Sequence, residues 1–128
     1  MPHKLLDAAT PADSRETERF IALVADKLTA TDRLFRECLA SDVPFIQKSG
    51  EYIFDGGGKR MRPALLLLCA RLLDRDGEEE VTYAAVVELI HTATLIHDDI
   101  IDHSALRRGR KTINELWGNN LTVLLGDW

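Results

Sequence analysis

The stretch VTYAAVVELIHTATLIHDDIID, Val81 to Asp102, decides the fold. It is apolar over most of its length and holds no Pro or Gly to interrupt it, so Val81 to Ile101 reads as one long helix. Three aspartates close it: Asp98, Asp99 and Asp102. On a helix Asp98 and Asp102 stand at i and i+4 and point the same way, which sets two like charges together. They also lie at the helix C-terminus, where the macrodipole disfavours carboxylates. A bound cation offsets both costs. Oxygen-only ligands and incomplete coordination by protein suit Mg²⁺, which keeps waters and shares its shell with substrate phosphates, so a diphosphate partner is implied.

Working outward, the segment after the aspartates is a polar connection, His103 to Lys111, containing Arg107, Arg108, Gly109 and Arg110. It returns guanidinium groups toward the carboxylates, and the arginine fork donates paired hydrogen bonds to phosphate oxygens. Upstream, Gly56-Gly57-Gly58-Lys59-Arg60-Met61-Arg62-Pro63 is a flexible turn opening a helix, with Pro63 in the first turn, where its missing N–H is harmless. Exposed N–H groups at that helix start, with Lys59 and Arg62 beside them, make an anion site. It is not a Walker loop, because the glycine spacing and the Lys-Ser/Thr pair are absent. His91 precedes Asp98 by two helical turns and shares nearly the same face.

The remaining chain reads as further helices. Asp13 or Ser14 caps a first one, whose stripe runs through Phe20, Ile21, Val24, Leu28, Leu34 and Leu39 with an interruption at Thr29 to Asp32. A second starts near Ser41 or Asp42 and runs to Phe54, and a third, Ala64 to Leu73, is apolar on all sides and therefore expected to be central. A short helical stretch follows Thr112. Another begins at Asn120 and carries no C-cap by Trp128, as expected of an element cut mid-course. Residues 1–12 read as a flexible lead-in, and 13–128 as part of a single helical domain.

With 128 residues, 45% hydrophobic and 6% aromatic, the composition favours this all-α reading, an antiparallel helical bundle. Net charge is −5, so no global basic surface suits nucleic acid, although seven of the sixteen basic residues fall between Lys59 and Arg62 or between Arg107 and Lys111. The longest apolar run, Ala64 to Ala70, is too short to span a bilayer, and no leader is visible at the N-terminus, which together imply a cytoplasmic protein. Cys38 and Cys69 lack metal-ligand spacing and are expected to be buried free thiols.

The three motifs, in this order and spacing, resemble the trans-isoprenyl diphosphate synthases, most closely the bacterial enzymes making octaprenyl and related long-chain precursors of quinone side chains. The resemblance implies the isoprenoid synthase fold and a homodimer. It implies Mg²⁺ on Asp98 and Asp102 with Asp99 supporting, the allylic diphosphate on Arg107, and isopentenyl diphosphate on Lys59, Arg62, His91 and Arg108. It further implies that chain length is set near Ala93 and Thr94, where members with short products carry bulky aromatic residues; small residues here imply a long product. The family's second aspartate-rich motif has no counterpart in these residues, so the chain alone is expected to be inactive. Two rival readings remain: a non-catalytic helical fragment or partner subunit, and a metal phosphohydrolase of the HD type built on His91 and His97-Asp98.

Overall fold

The computed structural model describes residues 11–75 and 77–128, with side chains from residue 14 onward; the first ten positions of the expected lead-in lie outside the described residues. Among the described residues, seven helices and one small hairpin follow in order: α1 Pro11–Ala22, α2 Ala25–Leu39, α3 Pro44–Asp55, α4 Met61–Leu72, α5 Glu79–Ile101, β1 Leu106–Arg107, β2 Arg110–Lys111, α6 Ile113–Trp117 and α7 Asn119–Asp127.

The first helix departs from expectation at both ends. It starts on Pro11, whose fixed φ suits a first helical position, so Asp13 lies inside the helix rather than capping it. The break falls at Leu23 and Val24, closed by the bonds Leu23 N–H to Phe20 O and Val24 N–H to Ile21 O. Thr29 to Asp32 stay helical, with the hydroxyls of Thr29 and Thr31 satisfied on carbonyls four residues back, at 3.0 and 2.8 Å, rather than competing for the backbone in a turn.

The long helix α5 organises the rest, packing on α2 and α4 with its first half and on α6 and α7 near its end. Ala84 meets Val24 and Leu67 in one apolar cluster, with Leu28, Leu66 and Leu68 around it. Ile96 meets Ile113 and Leu125 in a second cluster, with Phe45, Ile46, Tyr52, Ile53 and Trp117 packed against it. That second cluster fixes the aspartate-bearing end of α5 against α3, α6 and α7, and α6 directly follows the hairpin that carries the arginines.

Two expectations about burial need correction. Helix α4 is not apolar core all round: Pro63, Ala64 and Leu67 are buried, but Leu65, Leu72 and Leu73 are exposed, because only one face meets α2 and α5. Cys38 and Cys69 are free and exposed rather than buried. Cys69 follows buried Leu67 by two residues, which on a helix turns it away by about 200°. Helix α3 packs close on the end of α2 through buried Gly50, where a Cβ would meet the Leu39 carbonyl at 2.9 Å, so any side chain there would force the two helices apart.

Candidate diphosphate site

Helix α5 ends without the glycine that usually closes a helix. His103 takes the left-handed conformation instead (φ 52°), donating its N–H to Ile100 O while Ser104 N–H reaches Asp99 O at 2.9 Å. This is a Schellman closure, and it satisfies the last carbonyls through backbone alone. The three aspartates are left to point where helical rotation sends them.

They point in two directions. Asp98 and Asp102 are exposed, and among the described residues neither side chain has a hydrogen bond or ion pair. Asp99 is buried and receives Arg107: Nε lies 3.0 and 3.1 Å from its two oxygens and a terminal nitrogen 2.6 Å from Oδ1. That bond is the largest influence raising the Arg107 pKa; burial opposes it, and the charges of Asp99, Asp98 and Asp102 add to it. Arg107 is thus permanently cationic and held beside the exposed carboxylate pair.

The segment carrying Arg107 is a β-hairpin rather than a plain connection. Arg107 pairs with Arg110 across a two-residue turn in which Arg108 (φ 51°) and Gly109 (φ 76°) are both left-handed, as a type I′ turn requires. The hairpin is tied to α3: the Tyr52 hydroxyl donates to Lys111 O at 2.7 Å, and Arg110 lies 4.1 Å over the Tyr52 ring. Arg108 donates to Gly57 O at 2.7 Å. Sequence periodicity cannot show this, since two-residue strands have no pattern to read, and Gly109 marks a turn without stating that strands flank it.

Lys59, Arg62, His91 and Arg108 come together around one pocket, which Arg60 and Glu88 also line. A neighbouring cleft, lined in part by His91, Arg107 and Arg108, continues from it to Asp99, the one aspartate of the three that lines it. Ala93 and Thr94 line neither; Ala93 is half-buried, and the exposed Thr94 returns its hydroxyl to His91 O at 2.7 Å. His97 turns the other way, with Nε2 3.4 Å from Asp127 and 3.3 Å from Val123 O on α7. The histidines of the phosphohydrolase reading therefore do not share a site.

Burial holds the His91 pKa below the ordinary imidazole value, and Arg62, Arg108 and Arg107 lower it further against an opposing pull from Glu88. A neutral ring follows at neutral pH. Because its folded pKa is depressed, the contribution of His91 to stability is full above the unfolded value and is lost as pH falls toward the folded one. We expect an NMR titration to place the His91 midpoint below that of an unstructured histidine, and inorganic diphosphate to raise it by offsetting the cations; a midpoint unmoved by diphosphate would separate His91 from the anion site.

The sequence profile of the polyprenyl synthetase family matches residues 43–128. The chain belongs to that family. Octaprenyl diphosphate synthase of Escherichia coli is 45% identical over 111 residues, covering 87% of this chain and 34% of the relative. Among solved structures, a polyprenyl synthase from Caulobacter crescentus, complexed with calcium and isoprenyl diphosphate, superposes with a TM-score of 0.82 at 40% identity. A decaprenyl diphosphate synthase from Rhodobacter capsulatus does so with 0.82 at 45%. Each superposition covers 86% of this chain and 34% of the other. As a polyprenyl synthetase family member, the chain has the isoprenoid synthase fold over about a third of the length of the relatives it matches. Among the described residues no helix is long and apolar enough to cross a membrane.

Proposed function

We propose that this chain supplies the first aspartate motif and the isopentenyl diphosphate site of a Mg²⁺-dependent trans-prenyltransferase, one that condenses isopentenyl diphosphate with an allylic diphosphate into a long all-trans polyprenyl diphosphate. The product suits a quinone side chain, and the working enzyme is a cytoplasmic homodimer on this reading. What carries the reading is the gathering of Lys59, Arg62, His91 and Arg108 around one pocket, next to a cleft lined by Asp99 and Arg107.

The donor set fits the metal. Asp98 and Asp102 are unpaired acceptors facing water, and no third ligating side chain joins them in a cluster among the described residues, as suits an ion that completes its shell with water and phosphate oxygens. When bound, Mg²⁺ supplies Lewis-acid stabilisation of charge on the departing allylic diphosphate. Arg107, anchored on Asp99, faces the same developing charge with a preorganised guanidinium that needs no rearrangement as the charge appears. Lys59, Arg62 and Arg108, with a neutral His91 able to donate one N–H, hold the second diphosphate without metal. Two diphosphates are thereby kept chemically distinct, one to leave and one to stay.

The growing chain has an apolar surface to follow. Tyr83, Val86 and Ile90 are exposed on the turns of α5 before the aspartates, and Ala93 and Thr94 put no bulk beyond them. In the complete enzyme Ala93→Phe is expected to shorten the product, read by chromatography of the dephosphorylated prenyl alcohols; unchanged length would place the chain elsewhere. The proposal as a whole is tested by titrating methylene bisphosphonate, an inert diphosphate mimic, into this chain by calorimetry. Added Mg²⁺ is expected to bring a further binding event beyond any metal-independent one at the Lys59 and Arg62 pocket, and identical isotherms in both conditions would overturn the metal role.

A further inference from the structure

Arg60 lies within the basic run but does not share the freedom of Lys59 and Arg62, both of which are exposed. Its side chain is only 17% accessible. Nε donates to Asp32 Oδ1 at 2.7 Å, and a terminal nitrogen lies 3.4 Å from Glu88 Oε1. The guanidinium carbon sits 5.3 Å from the Phe35 ring centroid and 5.5 Å from that of Phe54, so two aromatic faces enclose the charge that two carboxylates neutralise. The Arg60 backbone is itself unusual: it is the N-cap of α4 in the left-handed region (φ 51°, ψ 32°), with no side-chain cap bond. A residue other than Gly stays in that conformation where its surroundings hold it there.

The consequences run into the pocket. Asp32 is on α2, Glu88 on α5 one turn before His91, and Arg60 joins both to the turn between Lys59 and Arg62. From the other side, Arg108 grips the same turn at Gly57 O. A Cβ on Gly58 would meet the terminal nitrogens of Arg108 and Arg60 at 3.2 and 3.5 Å, so the two guanidinium groups close around this glycine.

We propose that Arg60 is a positioning residue: its bonds to Asp32 and Glu88 fix the glycine-rich turn so that Lys59 and Arg62 face His91 across the pocket. This rests on the reading of that pocket as an isopentenyl diphosphate site. Arg60 is engaged by carboxylates and contributes through geometry, whereas a direct ligand would contribute through its own charge. The two roles differ in the sign of one mutation. Asp32→Asn removes a negative charge near an anion site, which strengthens anion binding if Arg60 is a direct ligand and weakens it if Arg60 must be held.

The experiment compares the parent chain with Arg60→Gln, Arg60→Lys and Asp32→Asn, using calorimetric titration of isopentenyl diphosphate and hydrogen exchange of the turn amides. Arg60→Gln is expected to weaken isopentenyl diphosphate binding about tenfold, to leave Mg²⁺-dependent bisphosphonate binding unchanged, and to speed exchange at residues 57–62 about tenfold while α7 is unaffected. Arg60→Lys, which keeps charge but cannot span both carboxylates, should recover less than half of the lost binding free energy, and Asp32→Asn should weaken binding. Tighter binding by Asp32→Asn, full rescue by Arg60→Lys, or uniform loss of protection across the chain would each overturn the positioning role. Should the parent chain fail to bind isopentenyl diphosphate, the assignment of the pocket fails, while exchange in the turn, which needs no ligand, still decides whether Arg60 anchors it.

Discussion

Arg107→Ala is expected to cost about 3 kcal/mol of stability, more than removal of its partner by Asp99→Ala. The asymmetry follows from burial. The Asp99 side chain is 8% exposed, whereas that of Arg107 is 38% exposed and can turn to water when its partner is lost. Without Arg107, three short contacts vanish and a carboxylate is left in a low-dielectric site with no donor, which is the expensive half of a broken ion pair. Without Asp99, the guanidinium keeps much of its hydration, and the loss falls to about 1–2 kcal/mol, discounted for that exposure. Urea unfolding of the two variants, read as midpoints at unchanged slope, checks the order. The reverse order would mean that water reaches Asp99 and that the pair is not the fixed point from which Arg107 faces the site.

The bond between Asp99 and Arg107 also marks where sequence reasoning reached its limit. Spacing along α5 correctly separates Asp98 and Asp102 from Asp99, since a helix sends i and i+4 one way and i+1 another. It cannot say what Asp99 meets, because its partner arrives through a hairpin whose two-residue strands leave no periodic trace. Long elements were legible for the opposite reason: α5 and α3 carry enough apolar positions to fix both type and extent within a few residues. The exposed Leu65, Leu72 and Leu73 illustrate a further gap, for an apolar pattern states that a face favours burial and not what covers it. In a chain spanning about a third of its relatives' length, that distinction decides how α4 is read. Arg60 was hidden differently. It sits in a run of cations whose members look equivalent in one dimension, and only the carboxylates of Asp32 and Glu88, each 28 residues away, single it out.

Asp98→Ala should move stability and binding in opposite directions. The parent places two carboxylates at i and i+4 in the last turn of a helix, with no donor to either among the described residues and the macrodipole against both. Removing one relieves the repulsion, so in metal-free buffer the variant should unfold at a slightly higher temperature than the parent. On the proposed reading the same change removes half of the paired oxygen ligands, and Mg²⁺-dependent binding of methylene bisphosphonate should fall by about a hundredfold or more, while any metal-independent binding at the Lys59 and Arg62 pocket persists. A side chain kept for packing would lose stability on truncation and leave the metal dependence intact, and either of those results would sink the assignment. Stability gained as function is lost is the pattern of a group retained for its ligand rather than for the fold, since Arg107, whose charge attracts these carboxylates, is bonded to Asp99 and makes no ion pair with either. The cation alone distinguishes Asp98 and Asp102 from an ordinary solvated helix end, and thermal unfolding with and without Mg²⁺ therefore belongs in the same experiment: added metal should stabilise the parent and leave Asp98→Ala unmoved.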